Sequence, residues 1–160
     1  MTGPGRAPRT GKAAANAALQ GALAAENAAV FGYGVAGARL TGRQRATATA
    51  YWNQHRSARD TLAGVLRARG EQPAAADDVY KLPFDVHTAA EAVSLAIFLE
   101  NGVTAAYLGL VGAADAGLRA FGARAMQDAA IRATSWRGST VAFPGMPAAR
   151  RAPRRPADRT

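Results

Sequence analysis

The chain has no cysteine among its 160 residues. That excludes disulfides, thiolate metal sites and cysteine nucleophiles, and it leaves the redox compartment open. Histidine is scarce, with only His55 and His87. Runs of β-branched residues are missing, which argues against strands. No stretch of 18 apolar residues occurs, so no membrane span is expected. The N-terminal MTGPGRAPRT lacks the apolar segment of a secretory signal, which makes the cytoplasm the default location. No glycine-rich phosphate loop of the required spacing is present, and no serine has a His/Asp partner pattern. The sequence thus offers no catalytic constellation, and a non-enzymatic role is the expectation.

Apolar residues make up 49% of the chain, enough to build one core. The formal charge of +9 first suggests nucleic acid. Its distribution changes that reading. Residues 1–12 carry Arg6, Arg9 and Lys12 with no acid, and residues 148–160 carry five arginines against Asp158. Taking those seven charges from the total leaves +2 for residues 13–147. The organisation expected is a disordered basic tail over 1–12, one domain over 13–147, and a disordered Arg/Pro-rich tail over 148–160. Arg150, Arg151, Arg154 and Arg155 could bind polyanions such as nucleic acid by counterion release. A solubilising role is favoured over that one, because 18 of the 20 basic residues are arginine throughout the chain.

The body reads as four helices, with abundant alanine and apolar residues at three- and four-residue spacing. The first covers about 13–40, with Leu19, Leu23, Val30 and Tyr33 inward. Its glycines Gly21, Gly32, Gly34 and Gly37 are expected to admit a close neighbour, and they offer a contact face for a homodimer. The second covers about 44–69, with Tyr51, Trp52, His55, Leu62 and Leu66 inward, and Gly70 then Pro73 as its stop. The third begins at the Thr88-x-x-Glu91 capping box and runs to about 113, with Val93, Ile97, Val103, Tyr107 and Val111 inward. The fourth runs from Asp115 to about 137, with Leu118, Phe121, Ala125, Ala129 and Trp136 inward. The apolar AFPGMP that follows is expected to cover one end.

Short links join the first helix to the second and the third to the fourth, so each pair should be an antiparallel hairpin. Residues 70–87 form one long connection. A 26-residue helix is about 39 Å long, and 18 extended residues reach roughly 60 Å. The connection can therefore run the length of the molecule and start the third helix parallel to the second. Two hairpins joined by such a crossover is the ferritin-like arrangement.

The pattern Glu-Asn-x5-Tyr occurs twice, as Glu26-Asn27 with Tyr33 and as Glu100-Asn101 with Tyr107, at an offset of 74 residues. A duplicated hairpin accounts for it. Glu26 and Glu100 lie on apolar stripes, where a carboxylate is costly unless paired, hydrogen-bonded or bound to metal. His55 shares their depth. Two carboxylates and an imidazole suit a single iron, manganese or zinc ion. Asp128 could be a fourth ligand, although Arg124 and Arg132 at i−4 and i+4 favour a surface ion pair. The competing reading is a metal-free hydrogen-bond network, in which Tyr33, Tyr107, Trp52 or His55 donate to the glutamates.

The segments ALAAENAAVFGYGVAGARL, NQHRSARDTLAGVLRARG, VYKLPFDV, LENGVTAAYLGLV, DAAIRATSWRG and AFPGMP carry a family resemblance. With them the chain resembles the ferritin-like superfamily, and within it an actinobacterial ferritin-like domain family of unknown function. The resemblance implies an all-α, ferritin-like four-helix bundle. Di-iron members place a glutamate on helices 1 and 3 and Glu-x-x-His on helices 2 and 4. Glu26, Glu100 and His55 each match one such position. Trp52 stands where the motif has glutamate, and the fourth helix has no histidine. A degenerate metal centre follows, one that does not form a di-iron site. The ranked expectations are a degenerate bundle that is structural or binds a partner or small ligand, then a mononuclear metalloprotein or oxidoreductase using Glu26, His55 and Glu100, then a nucleic-acid-associated bundle acting through its tails.

Overall fold

A computed structural model describes residues 7–138, with side chains from residue 11 onward. The AFPGMP segment and Arg150, Arg151, Arg154 and Arg155 lie outside the described residues. The described chain is all-α: α1 (Ala7–Arg39), α2 (Gly42–Ala68), α3 (Ala89–Val111) and α4 (Ala116–Arg137). α1 starts inside the 1–12 segment expected to be a tail. Pro8 does not prevent this, because proline is tolerated in a first turn, where its missing N–H has no helical partner.

Local chemistry sets the remaining ends. Thr88 and Glu91 form the expected capping box, with Glu91 N–H donating to Thr88 Oγ1 at 3.2 Å and Thr88 N–H to Glu91 Oε2 at 2.8 Å. Asp115 Oδ1 caps α4 by accepting from the Gly117 and Leu118 amides. Gly70 (φ 78°) and Gly138 (φ 74°) turn the chain out of α2 and α4 in the left-handed region that favours glycine.

Cross-helix contacts fix how the helices run. Asn16 meets Arg69, Glu26 meets His55, and Val30 meets Trp52, so α1 and α2 run in opposite directions. Glu26 meets Tyr107 and Tyr33 meets Glu100, which sets α3 antiparallel to α1. Tyr107 packs on Phe121 and Glu100 meets Arg132, which sets α4 antiparallel to α3. The segment between α2 and α3 is tied to α1 along its length. Glu71 and Gln72 accept from Asn16 and Gln20, the Tyr80 ring packs at a tilt against Phe31, and the Val86 carbonyl accepts from Arg39.

The core has two apolar halves. One gathers Leu19, Leu23, Leu62, Leu66, Tyr107, Leu110 and Leu118. The other gathers Tyr33, Leu40, Ala48, Leu95 and Leu99. Near the junction of the two halves every helix carries one buried charged residue: Glu26, His55, Glu100 and Arg132. α3 is the apolar centrepiece. By length and composition it could cross a membrane, yet both α1 and α4 pack on it and it buries Glu100. Its inward phase differs from expectation. Leu95, Leu99, Val103, Tyr107 and Leu110 are buried, while Val93, Ile97 and Val111 are half-exposed. Continuous apolarity blurs the phase of such a helix.

The α1 glycines also differ from expectation. Only Gly32 admits a neighbour, since a Cβ there would lie 2.5 Å from Leu99 Cδ1; Gly21, Gly34 and Gly37 face open space. The approach with least room to relax is at Gly122 of α4, where a Cβ would meet Leu110 Cβ at 2.7 Å and the Tyr107 carbonyl oxygen at 3.3 Å, atoms that cannot swing aside as a leucine methyl can. Gly122→Ala should therefore lower the unfolding free energy in urea by about 1–3 kcal/mol. Gly34→Ala should raise it by about 0.5–1 kcal/mol through helix propensity. Equal responses would show that the α3–α4 approach is not tight.

Candidate functional site: a buried carboxylate–imidazole–guanidinium layer

Each helix contributes one charged side chain to the layer. Glu26 is 1% exposed, His55 1%, Glu100 0% and Arg132 9%. His55 lies between the two glutamates. Its Nδ1 is 2.7 Å from Glu26 Oε2 and its Nε2 is 3.1 Å from Glu100 Oε1. Arg132 Nε donates to Glu100 Oε1 at 2.9 Å. The phenols complete the layer crosswise. Tyr33 donates to Glu100 at 2.6 Å, and Tyr107 donates to Glu26 at 2.9 Å. The two copies of Glu-Asn-x5-Tyr thus serve each other, the tyrosine of one bonding the glutamate of the other.

The proton positions follow from this geometry. Both ring nitrogens of His55 face carboxylate oxygens, and only the imidazolium has two N–H donors. Burial opposes the charge. The hydrogen bonds to Glu100 and Glu26, then their charges, outweigh it and hold His55 above its ordinary pKa of 6.5. Burial likewise opposes charge on Glu100, but the hydrogen bond and charge of His55, then Arg132, hold its carboxyl below the ordinary 4.5. Tyr33 and Tyr107 are pushed far above the usual tyrosine range, first by burial and then by the glutamate each one faces, so both remain donors. Two carboxylates against an imidazolium and a guanidinium make a layer with no net charge.

The sequence-derived candidates divide. Glu26, His55, Glu100, Tyr33 and Tyr107 come together. Trp52 does not join them; its Nε1 donates to the Val30 carbonyl at 3.0 Å and the Arg56 guanidinium lies over its ring. Asp128 is exposed on α4 and takes no part in the layer. Its expected surface partner Arg132 instead turns inward to Glu100. The i,i+4 spacing to Asp128 masks Arg132 in the sequence, although its helical phase is inward. It stands three residues after Ala129 and four before Trp136, squarely on the inward stripe of α4. Trp136 is a second unanticipated member, donating to the Tyr33 hydroxyl at 2.8 Å.

α2 and α4 do not pack backbone to backbone. Side chains bridge them: Arg132 Nη1 donates to Gln54 Oε1 at 3.3 Å, and Tyr51 meets Trp136 edge to face. The gap between these helices is a cleft of about 590 Å3. Glu26, His55, Tyr107 and Arg132 form its inner wall, and Tyr51, Phe121, Ala125, Arg124, Asp128 and Ile131 line it further out. Among the described residues no group of three or more His, Asp or Glu side chains is arranged to hold a metal ion. Glu26, His55 and Glu100 do converge, but the imidazole stands between the carboxylates, so their facing atoms bond one another and not a shared point. Glu100 Oε2 is the one oxygen of the two carboxylates with no donor.

The fold and site together define an all-α protein with a buried, charge-compensated layer opening on an interhelical cleft. Residues 18–148 match the family described as Domain of unknown function (DUF4439), and the chain belongs to that family. It is also similar to a solved crystal structure of a conserved hypothetical protein, Rv2844, from Mycobacterium tuberculosis. The identity is 36%, the TM-score is 0.76, and the match covers 79% of this chain and 96% of that one. No curated protein matches the sequence.

The layer predicts a two-sided pH dependence of stability. His55 has a raised folded pKa, so its contribution is full below about 6.5 and is lost as pH rises through the folded value. Glu100 has a lowered folded pKa, so its contribution is full above about 4.5 and is lost as pH falls through the folded value. Urea unfolding from about pH 2.5 to about pH 9 should show both declines. His55→Gln should remove the alkaline decline and cost about 3–5 kcal/mol, since it leaves buried carboxylate unpaired. An alkaline decline that persists in His55→Gln would assign it to another group.

Proposed function

We propose that this protein is a ferritin-like four-helix bundle whose metal centre has been replaced by an internal ion-pair layer, and that it works without catalysis as a small-ligand-binding protein through the α2–α4 cleft. The bundle reading is supported by three antiparallel helix contacts and by a long connection that follows α1 from Asn16 to Arg39. The observation that carries the replacement is the position of Arg132, whose Nε lies 2.9 Å from Glu100 Oε1. A guanidinium has no lone pair for a metal, and it supplies the positive charge that a metal would otherwise bring to the carboxylates.

The donor set does not fit a two-metal centre. Both nitrogens of His55 are engaged by carboxylates, α4 offers arginine where a ligand would be needed, and both oxygens of Glu26 are taken. Glu100 Oε2 alone is not a coordination set. The cleft supports the binding reading, since its volume lies in the range of small-molecule sites, with apolar walls and a few polar groups at one end.

The metal content of the full, untagged chain tests the replacement. After incubation with iron, manganese and zinc and removal of excess, elemental mass spectrometry should find well under about one ion per ten chains, because metal would have to displace a satisfied ion-pair layer. Near-stoichiometric metal that disappears in Glu26→Ala and His55→Ala would establish a mononuclear centre instead and bring the oxidoreductase reading forward.

A further inference from the structure

The chemistry of the cleft also points to what it takes. Its inner wall is mostly satisfied. Both oxygens of Glu26 and both nitrogens of His55 are engaged, and the Tyr107 hydroxyl donates to Glu26. The capacity left over is of one kind. Arg132 uses Nε on Glu100, and its Nη1 reaches Gln54 Oε1 at the long distance of 3.3 Å. Its Nη2 makes no hydrogen bond among the described residues. With its Oε1 taken by Arg132, Gln54 has no acceptor for its amide N–H donors among the described residues. The cleft therefore holds unused donors around a guanidinium held in place by Glu100, those of Arg132 at its inner wall and those of Gln54 nearer the solvent. That is the arrangement that recognises a planar oxyanion, which guanidinium takes in bidentate fashion.

The outer part sets the rest of the ligand. Phe121, Ala125 and Ile131 of α4 face Ala58 of α2 across the gap. Ile131 is 65% exposed there, an apolar side chain left in water at the mouth. These walls suit an apolar body. Two charges share the rim: Arg124 adds attraction for an anion, and Asp128 opposes more than a single negative charge. We propose that the α2–α4 cleft binds a small organic monocarboxylate with an apolar body, its carboxylate held by Arg132 and Gln54 and its body lying against Phe121 and Ile131. This rests on the ligand-binding reading above and specifies its ligand class.

The test is a titration of the full-length, 15N-labelled chain, followed by amide NMR shifts, with four probes: hexanoate, 1-hexanol, hexylamine and inorganic phosphate. Hexanoate should shift Gln54, Phe121 and Ile131 and bind at least about 10-fold more tightly than 1-hexanol or hexylamine, the gain a charge-assisted pair supplies. Phosphate should not displace it. Arg132 also supports the core, so its substitution risks unfolding. Two rim variants avoid that risk. Ile131→Glu and Arg124→Glu each put a negative charge at the mouth and should weaken hexanoate by about 5-fold or more while the rest of the spectrum is retained. Hexanol binding as tightly as hexanoate, or hexylamine more tightly, would overturn the carboxylate class and leave the ligand-binding cleft standing. Displacement of hexanoate by phosphate at equal concentration would overturn the apolar body in the same way. If no probe shifted the cleft residues, the ligand class and the ligand-binding reading would both fall.

Discussion

Two carboxylates buried at the middle of an apolar core are the constraint on which the rest of this fold depends. A lone buried carboxylate is too costly to keep ionised. Here the compensation cannot come from the helices that carry the acids. α1 brings Glu26 and α3 brings Glu100; the cations come from His55 on α2 and Arg132 on α4. Sliding any helix by one turn, about 5.4 Å, would leave at least one buried charge without its partner. An apolar core alone would tolerate several registers, because leucine on alanine packs in many ways. The charged layer admits one. Buried ion pairs contribute little net stability over apolar replacements, so its main effect in this molecule is to select an alignment.

The layer also explains how a sequence repeat becomes a tertiary contact. The two Glu-Asn-x5-Tyr copies lie on antiparallel helices, α1 and α3. In each copy the tyrosine lies two turns beyond its glutamate, and across an antiparallel pair that displacement brings it level with the glutamate of the other copy. Tyr33 reaches Glu100 and Tyr107 reaches Glu26. The symmetry ends there. His55 bonds both glutamates, whereas Arg132 bonds only Glu100. Three donors therefore crowd onto Glu100 Oε1 while its Oε2 has none. The imbalance follows from having one imidazole and one guanidinium in place of two equivalent groups.

Much of this was legible in the sequence, and the reasons differ by residue. Glu26, Glu100 and His55 stood out because polar groups on an apolar stripe violate the helical pattern, and such violations mark buried partners. The tyrosines followed from the repeat. The capping box at Thr88 and the stop at Gly70 depend on local backbone chemistry, which sequence encodes directly. Arg132 was obscured by a second rule acting at the same position, the i,i+4 pairing with Asp128, which is weak beside the demand of a buried carboxylate. Trp52 shares a helix face with His55 by its i,i−3 spacing, but the roughly 60° between the two positions is enough to send its indole to the Val30 carbonyl. The phase of α3 was obscured because an almost uniformly apolar helix carries little periodic signal. The glycines show the same limit. Which of them meets a neighbour depends on the helix across from it, and Gly122, singled out by nothing in its own segment, is the one that faces the least yielding atoms.

The cleft is what remains when the layer is satisfied from one side more than the other. α1 and α3 pack closely and exchange their tyrosines, so the carboxylates are supported from that side. α2 and α4 each reach inward with a long side chain, His55 or Arg132, and a helix that supplies a long side chain to the centre need not approach closely itself. The backbones stay apart, and the two cations, with Glu26 and Tyr107 beside them, line the inner wall of the intervening space. Closing the gap would require shortening Arg132, and a shorter residue at that position would no longer reach Glu100. The opening is therefore tied to the ion pair: the guanidinium that neutralises the core also holds α4 away from α2 and presents its outer face to whatever enters.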